Sequence, residues 1–121
     1  MGTLDGETLL KTAADCVEEL PGATHGRPFT EQLDVYKVAG KVFLIITDDP
    51  DERIVTVKAE PEYGRLLQDR HASISPGRYL DKRHWISLGA GPDITRDIVA
   101  ELVDDSYHLV LDTVPHKRRP R

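Results

Sequence analysis

The residues best equipped for chemistry stand together between Ser73 and Ser87, in the run Ser-Ile-Ser-Pro-Gly-Arg-Tyr-Leu-Asp-Lys-Arg-His-Trp-Ile-Ser. Arg78, Lys82, Arg83 and His84 lie close along the chain, with Tyr79 among them and Trp85, the one tryptophan, directly after. Cations interleaved with aromatics suit an anionic ligand. Ammonium and guanidinium groups contact phosphates, and an exposed ring offers a face on which a base stacks. Lys41 and Lys58, outside this run, are further candidates for phosphate contact. A structural role is the alternative: Pro76-Gly77 turns the chain, Trp85 packs under the last helix, Tyr107 bonds across to the turn, and the basic groups form a solvated rim.

Other chemistries find less support. His84 with Asp81 or Ser106 would make an acid–base pair around a small-molecule pocket, but no spacing brings the three together. There is no Gly-rich phosphate loop, nucleophile elbow or His-Glu-x-x-His helix. The five histidines, His25, His71, His84, His108 and His116, lack the spacing of a ligand set. Asp15, Glu18 and Glu19 are the nearest approach to a carboxylate cluster for a metal ion, and solvation of a helix face explains them. The acidic turn Asp48–Glu52 lacks the spaced oxygens and glycine of a calcium loop. The expectation is therefore no catalytic residue, no metal, no cofactor and no enzymatic activity.

The elements that must position the candidate residues follow from periodicity. Leu9, Leu10, Ala13, Cys16, Val17 and Leu20 trace one stripe of a helix over Leu4–Leu20, capped by Asp5 and stopped by Pro21-Gly22. Cys16 lies on that stripe, as a buried structural thiol rather than a nucleophile. Ala23–Thr30 reads as a loop. Leu33–Ala39 and Lys41–Thr47 read as strands joined at Ala39-Gly40. Val42–Ile46 is apolar on both faces, so its strand should be central and covered. Ile54–Lys58 is the next strand, with Thr56 and Lys58 opposite to Val55 and Val57. Pro61–Asp69 is a short helix burying Leu66 and Leu67. His84–Leu88 is a strand. Asp93–Leu111 is a long helix capped by Asp93, with Ile94, Ile98, Val99, Leu102, Val103 and Val110 on one face. Hairpin strands between terminal helices predict an α+β two-layer sandwich, with an antiparallel sheet covered on one side by the N- and C-terminal helices.

The chain has 121 residues, of which 39% are hydrophobic and 31% charged, which predicts one globular domain over 1–115 and a flexible basic tail over 116–121. No apolar run approaches membrane-spanning length, and no basic region followed by a hydrophobic core marks a secretory signal. The single cysteine fits a reducing cytoplasm. Net charge is −5, against a general polyanion binder, but the charge is segregated. Arg70–His84 holds four basic residues against one acid, and Lys117–Arg121 four against none, so the remainder is strongly anionic. Local patches steer ligands more than net charge does.

Four motifs stand in order: Gly-Lys-Val-Phe at 40–43, Val-Lys-Ala-Glu-Pro at 57–61, Pro-Gly-Arg-Tyr-Leu-Asp-Lys-Arg-His-Trp at 76–85, and Asp-Ser-Tyr at 105–107. With that spacing the chain resembles the MmcQ/YjbR family of small bacterial proteins, from the first helix to Lys117. The resemblance implies a CyaY-like α+β sandwich of the class shared with bacterial frataxin. It also implies a double-wing arrangement that binds DNA. The positions that match the family are Lys41, Lys58, Lys82, His84, Trp85, Ser106 and Tyr107. A site using about four phosphate contacts predicts a log–log salt slope of about −3.6 on duplex DNA.

Overall fold

The computed structural model describes residues 4–28 and 30–120. Helix α1 (Gly6–Val17) is followed by strands β1 (Ala23–Gly26), β2 (Leu33–Val38), β3 (Lys41–Asp49) and β4 (Glu52–Lys58), helix α2 (Pro61–Arg70), strands β5 (Ile74–Pro76) and β6 (Trp85–Gly89), and helix α3 (Arg96–Leu111). The strands form one sheet in the order β1-β2-β3-β4-β6-β5, with every neighbour antiparallel. Helices α1 and α3 pack on each other and on one face of β3 and β4, while α2 covers β5 and β6. The fold is the α+β class that the sequence predicts.

Burial explains this layering. Phe43, Leu44, Val55, Val57, Ile86 and Leu88 project from the sheet into a core shared with Leu9, Ala13, Val99, Leu102, Val103 and Tyr107. The β2–β3 hairpin turns on Ala39 and Gly40, both at positive φ (50° and 80°), the geometry that matches a two-residue turn to strand twist. Opposite β2 the register skips one residue, from Tyr36↔Leu44 to Lys37↔Val42. Phe43 is the extra residue of this bulge. The bulge lets both Phe43 and Leu44 enter the core, and Phe43 meets the Tyr107 ring edge-on at 5.4 Å.

Several expectations need correction. Residues 23–30 are not wholly loop, because β1 pairs with β2 from Ala23↔Val38 to Gly26↔Val35. Three of its four residues are exposed, so no apolar alternation marks it; its stability comes from its partner, with His25 stacked on Tyr36 at 4.8 Å. Strand β5 is likewise an edge, where Pro76 costs no interior ladder bond. In α2 only Leu67 of the leucine pair is buried, with Gly64 beside it; Leu66 stays 42% exposed because the helix docks along a narrow stripe. Helix α1 begins at Gly6, since the Asp5 carboxylate accepts from the Thr8 amide at 2.8 Å. Helix α3 begins at Arg96, capped by Thr95 rather than Asp93, and Ile94 is buried ahead of it.

Trp85 does not pack under the last helix. It pairs with Lys58, and strand alternation puts it on the face of Ser87, opposite to the core-facing Ile86 and Leu88. The Tyr107 hydroxyl donates to the Pro21 carbonyl at the end of α1, not to the 77–84 turn. Past α3, His116–Arg118 forms a 3-10 turn, the Arg119 guanidinium donates to the Val114 carbonyl at 2.8 Å, and Pro120 lies against Gly22.

Candidate nucleic-acid interface

The connection from β5 to β6 carries most of the candidate residues, and its shape has local causes. Gly77 comes so close to Trp85 that a Cβ there would lie 2.5 Å from the Trp85 Cβ and 2.8 Å from its carbonyl. The Gly77 amide donates to the Trp85 carbonyl at 2.8 Å. The Arg78 amide then donates to the Ser87 hydroxyl at 3.0 Å, which is 2.7 Å from the Thr56 hydroxyl. Thr56 and Ser87 thus lie buried on the face away from the helices, as a polar pair under the loop. Asp81 organises the far end. One carboxylate oxygen accepts from the Arg83 amide at 2.9 Å and the other sits 2.6 Å from the His84 Nδ1. The His84 contact, then the Arg83 amide, hold the Asp81 carboxyl below its usual range.

Two loop residues stand apart. The Arg78 guanidinium lies over the Tyr79 ring at 5.3 Å and meets both carboxylate oxygens of Glu52, at 3.2 and 3.1 Å. Glu52 begins β4, at the end of the strand opposite Lys58, so Arg78 is drawn away from the other cations. Tyr79 is 51% exposed and holds φ at +74°. A bulky residue in that region is strained.

Lys82 and Arg83 face helix α2. With Pro76, Ala59 and Ile86 they form one side of a cleft of about 210 Å³ whose other side is Pro61, Gly64, Arg65 and Gln68. The α2 residues recur at helical spacing, one stripe of the helix surface. Three cations line the cleft and no carboxylate does. Neither Arg65, Lys82 nor Arg83 has a carboxylate partner among the described residues. Sequence reasoning missed Arg65; the signal available was the spacing Pro61, Gly64, Arg65, Gln68 opposite a basic loop.

Lys58 and Lys41 lie at the same end of the sheet as this cleft. Lys58 pairs with Trp85, and the Ala59 amide donates to the His84 carbonyl at 2.9 Å. Lys41 begins the strand next to β4, one strand spacing of about 4.8 Å away, and its ammonium donates to the Thr113 hydroxyl at 3.1 Å. Lys82 and Arg83 are therefore brought together with His84 adjacent in the same loop, whereas the Lys58 side chain lines a different groove, Lys41 lies on the neighbouring strand and Arg78 stands apart. Ser106 is enclosed elsewhere. Its hydroxyl donates to the Phe43 carbonyl at 2.6 Å and accepts from the Lys58 amide at 2.8 Å. It bridges β3 and β4 where their ladder has ended at Leu44↔Val57. His84 does pair with Asp81, but Ser106 is fully buried away from them.

On its other side, α2 borders a groove of opposite sign. That groove, about 220 Å³, is lined by Glu60, Asp105 and Asp112, with Lys58, His108, Tyr63 and apolar groups. Burial, then the Glu101 and Asp104 charges, push the Asp105 carboxyl up, and Tyr63 donates to Glu101 at 2.7 Å. Asp15 is paired with Lys11 at 2.9 Å, and among the described residues no three His, Cys, Asp or Glu side chains converge as a metal site. Burial pushes the Cys16 thiol up, and the residue is half-buried against the core rather than enclosed in it as expected. No helix among the described residues is long and apolar enough to cross a membrane.

Comparison with known proteins agrees with this architecture. The YjbR family model matches residues 18–109. The protein YbdF of Escherichia coli O157:H7 is 31% identical over 118 residues, covering 98% of this chain and 97% of YbdF. The protein YjbR of Escherichia coli K12 is 28% identical over 99 residues, 82% of this chain and 84% of its own. The crystal structure of Deinococcus radiodurans DR2400, a DUF419 domain, superposes with a TM-score of 0.71 at 29% identity, over 79% of this chain and 73% of that one. A Pseudomonas syringae protein of known structure shares the fold, at a TM-score of 0.64 and 19% identity, over 78% and 92% of the two chains.

Proposed function

The chain belongs to the YjbR family, and on that premise we propose that it is a non-enzymatic, cytoplasmic DNA-binding domain. The strand's phosphates enter the cleft beside α2, along Arg65, Lys82 and Arg83. The observation that carries this reading is the lining of that cleft: Arg65, Lys82 and Arg83, with no carboxylate among them. Lys58 and Lys41 stand outside this row, Lys58 in the lining of the acidic groove and Lys41 with its ammonium on the Thr113 hydroxyl. Tyr79, exposed and next to Arg78, is the stacking residue. Arg78 itself holds the loop to Glu52 rather than contacting phosphate. The acidic groove on the other side of α2 repels the backbone and so sets which side of the helix the strand follows. This is a smaller footprint than a duplex-wide basic surface.

Fluorescence anisotropy of labelled duplex and single strand across a salt series tests it. Three phosphate contacts give a log–log slope of about −2.7 on duplex and about −2.1 on single strand. The Lys82→Ala, Arg83→Ala pair reduces the duplex slope to about −0.9. Absence of binding at low salt, or an unchanged slope in the double variant, refutes the proposal.

A further inference from the structure

We infer that the cleft between α2 and the β5–β6 loop is a receptor for a phosphomonoester, so that the domain recognises the phosphorylated end of a strand in preference to its interior. The inference rests on the DNA-binding reading for the source of that phosphate.

Size is the first argument. Pockets for drug-sized ligands run from about 300 to 1,000 Å³, and this one is about 210 Å³. It has room for a phosphate and little more than one sugar. An internal phosphodiester reaches a concave site only with a sugar on each side, whereas a terminal phosphate brings one.

Charge is the second. A phosphomonoester carries about −1.5 to −2 at neutral pH, and an internal phosphodiester carries a single negative charge. Three cations facing one small space without a carboxylate exceed what a diester neutralises, and are better matched by the dianion. Their chemistry suits its oxygens as well. Arg65 and Arg83 offer planar forks that engage two oxygens at once, while Lys82 is a compact point charge.

The third argument is that the loop side of the cleft is preset. The Asp81 carboxylate holds the Arg83 amide and the His84 ring, the Lys82 ammonium lies 3.4 Å from the Gly77 carbonyl, and Gly77 is seated on Trp85. The floor is bare where close approach is needed. Gly64 presents no side chain, and a Cβ there would already lie 3.3 Å from Ile86. A preset site loses less freedom on binding.

The test compares one single-stranded sequence with a 5′-hydroxyl, a 5′-phosphate or a 3′-phosphate, alongside thymidine 5′-monophosphate and inorganic phosphate, with binding read by anisotropy and by amide shifts of residues 64–68 and 82–84. Expected is at least about tenfold tighter binding of a phosphorylated end, the effect of one further charge-assisted contact, with amide shifts in both walls. Arg65→Gln, an exposed helix position, removes that preference without unfolding the domain. Gly64→Val, which fills the floor, removes it as well. Equal affinity for all three oligonucleotides overturns end recognition and leaves the DNA reading standing. Binding of the mononucleotide without any oligonucleotide overturns the DNA reading and identifies the phosphomonoester as a free nucleotide. No response to any of the five probes overturns both.

Discussion

Replacing Ser106 with alanine tests how the sheet end is held. Ser106 is fully buried, and its hydroxyl satisfies the Phe43 carbonyl and the Lys58 amide together. Alanine leaves both groups without a partner. Each buried unsatisfied group costs about 1–3 kcal/mol. Lys58 is half-buried, so part of its loss is recovered from water, and the sum is about 2–4 kcal/mol. A domain this size has an unfolding entropy near 2.1 cal/mol/K per residue, so each kcal/mol is about 4 °C in Tm. Ser106→Ala is expected to lower Tm by about 8–16 °C and to speed hydrogen exchange of the Lys58 amide. Thermal unfolding and exchange NMR measure the two. A loss under about 2 °C with the Lys58 amide still protected refutes the reasoning. It would mean that β3 and β4 simply close and pair Phe43 with Lys58 directly.

Three further perturbations have signed outcomes. Tyr79→Gly relieves a positive-φ strain and is expected to stabilise the domain by up to about 1 kcal/mol, while weakening single-strand binding through loss of stacking. Urea unfolding and anisotropy check this, and unchanged affinity argues against the ring as a base platform. Gly77→Ala forces its Cβ into Trp85 and is expected to cost about 1–3 kcal/mol, read as a lower urea midpoint with weaker DNA binding. Asp105 has a folded pKa raised by burial and by the Glu101 and Asp104 charges. Its ionised form therefore disfavours the fold, and the penalty appears as pH rises through the carboxylate range and is absent below it. Asp105→Asn is expected to raise Tm at pH 7 and leave it unchanged at pH 3; a gain at both pH values would assign the effect to packing instead.

What was legible in the sequence was what is encoded locally. The Asp5 cap, the Ala39-Gly40 turn and the two-sided apolar run of β3 depend on neighbours a few positions away, and each is found where its pattern puts it, while the α1 stripe is helical only to Val17, short of the expected Leu20. Strands β1 and β5 escaped because an edge strand of three or four residues shows no alternation; its register is dictated by the strand beside it. The same reason misplaced Trp85. Whether a residue of β6 faces the helices depends on its pairing with β4, and an offset of one position reverses the answer. In the candidate site, the basic character of 78–84 was visible, but the capture of Arg78 by Glu52 and the convergence of Arg65 on Lys82 and Arg83 arise from segments far apart in the chain.

The lacing of first and last elements has a consequence for synthesis. Helix α1 leaves the ribosome before α3, yet each is the other's packing partner, and Ser106 of α3 completes the junction of β3 with β4. Until α3 is released, the nascent chain can form its hairpins but has only α1 to cover the core face of β3 and β4. Folding therefore waits for α3 and proceeds through contacts distant in sequence, which makes it slow. During that interval the half-covered core face, with Phe43 and Leu44 on it, is the surface most exposed to aggregation.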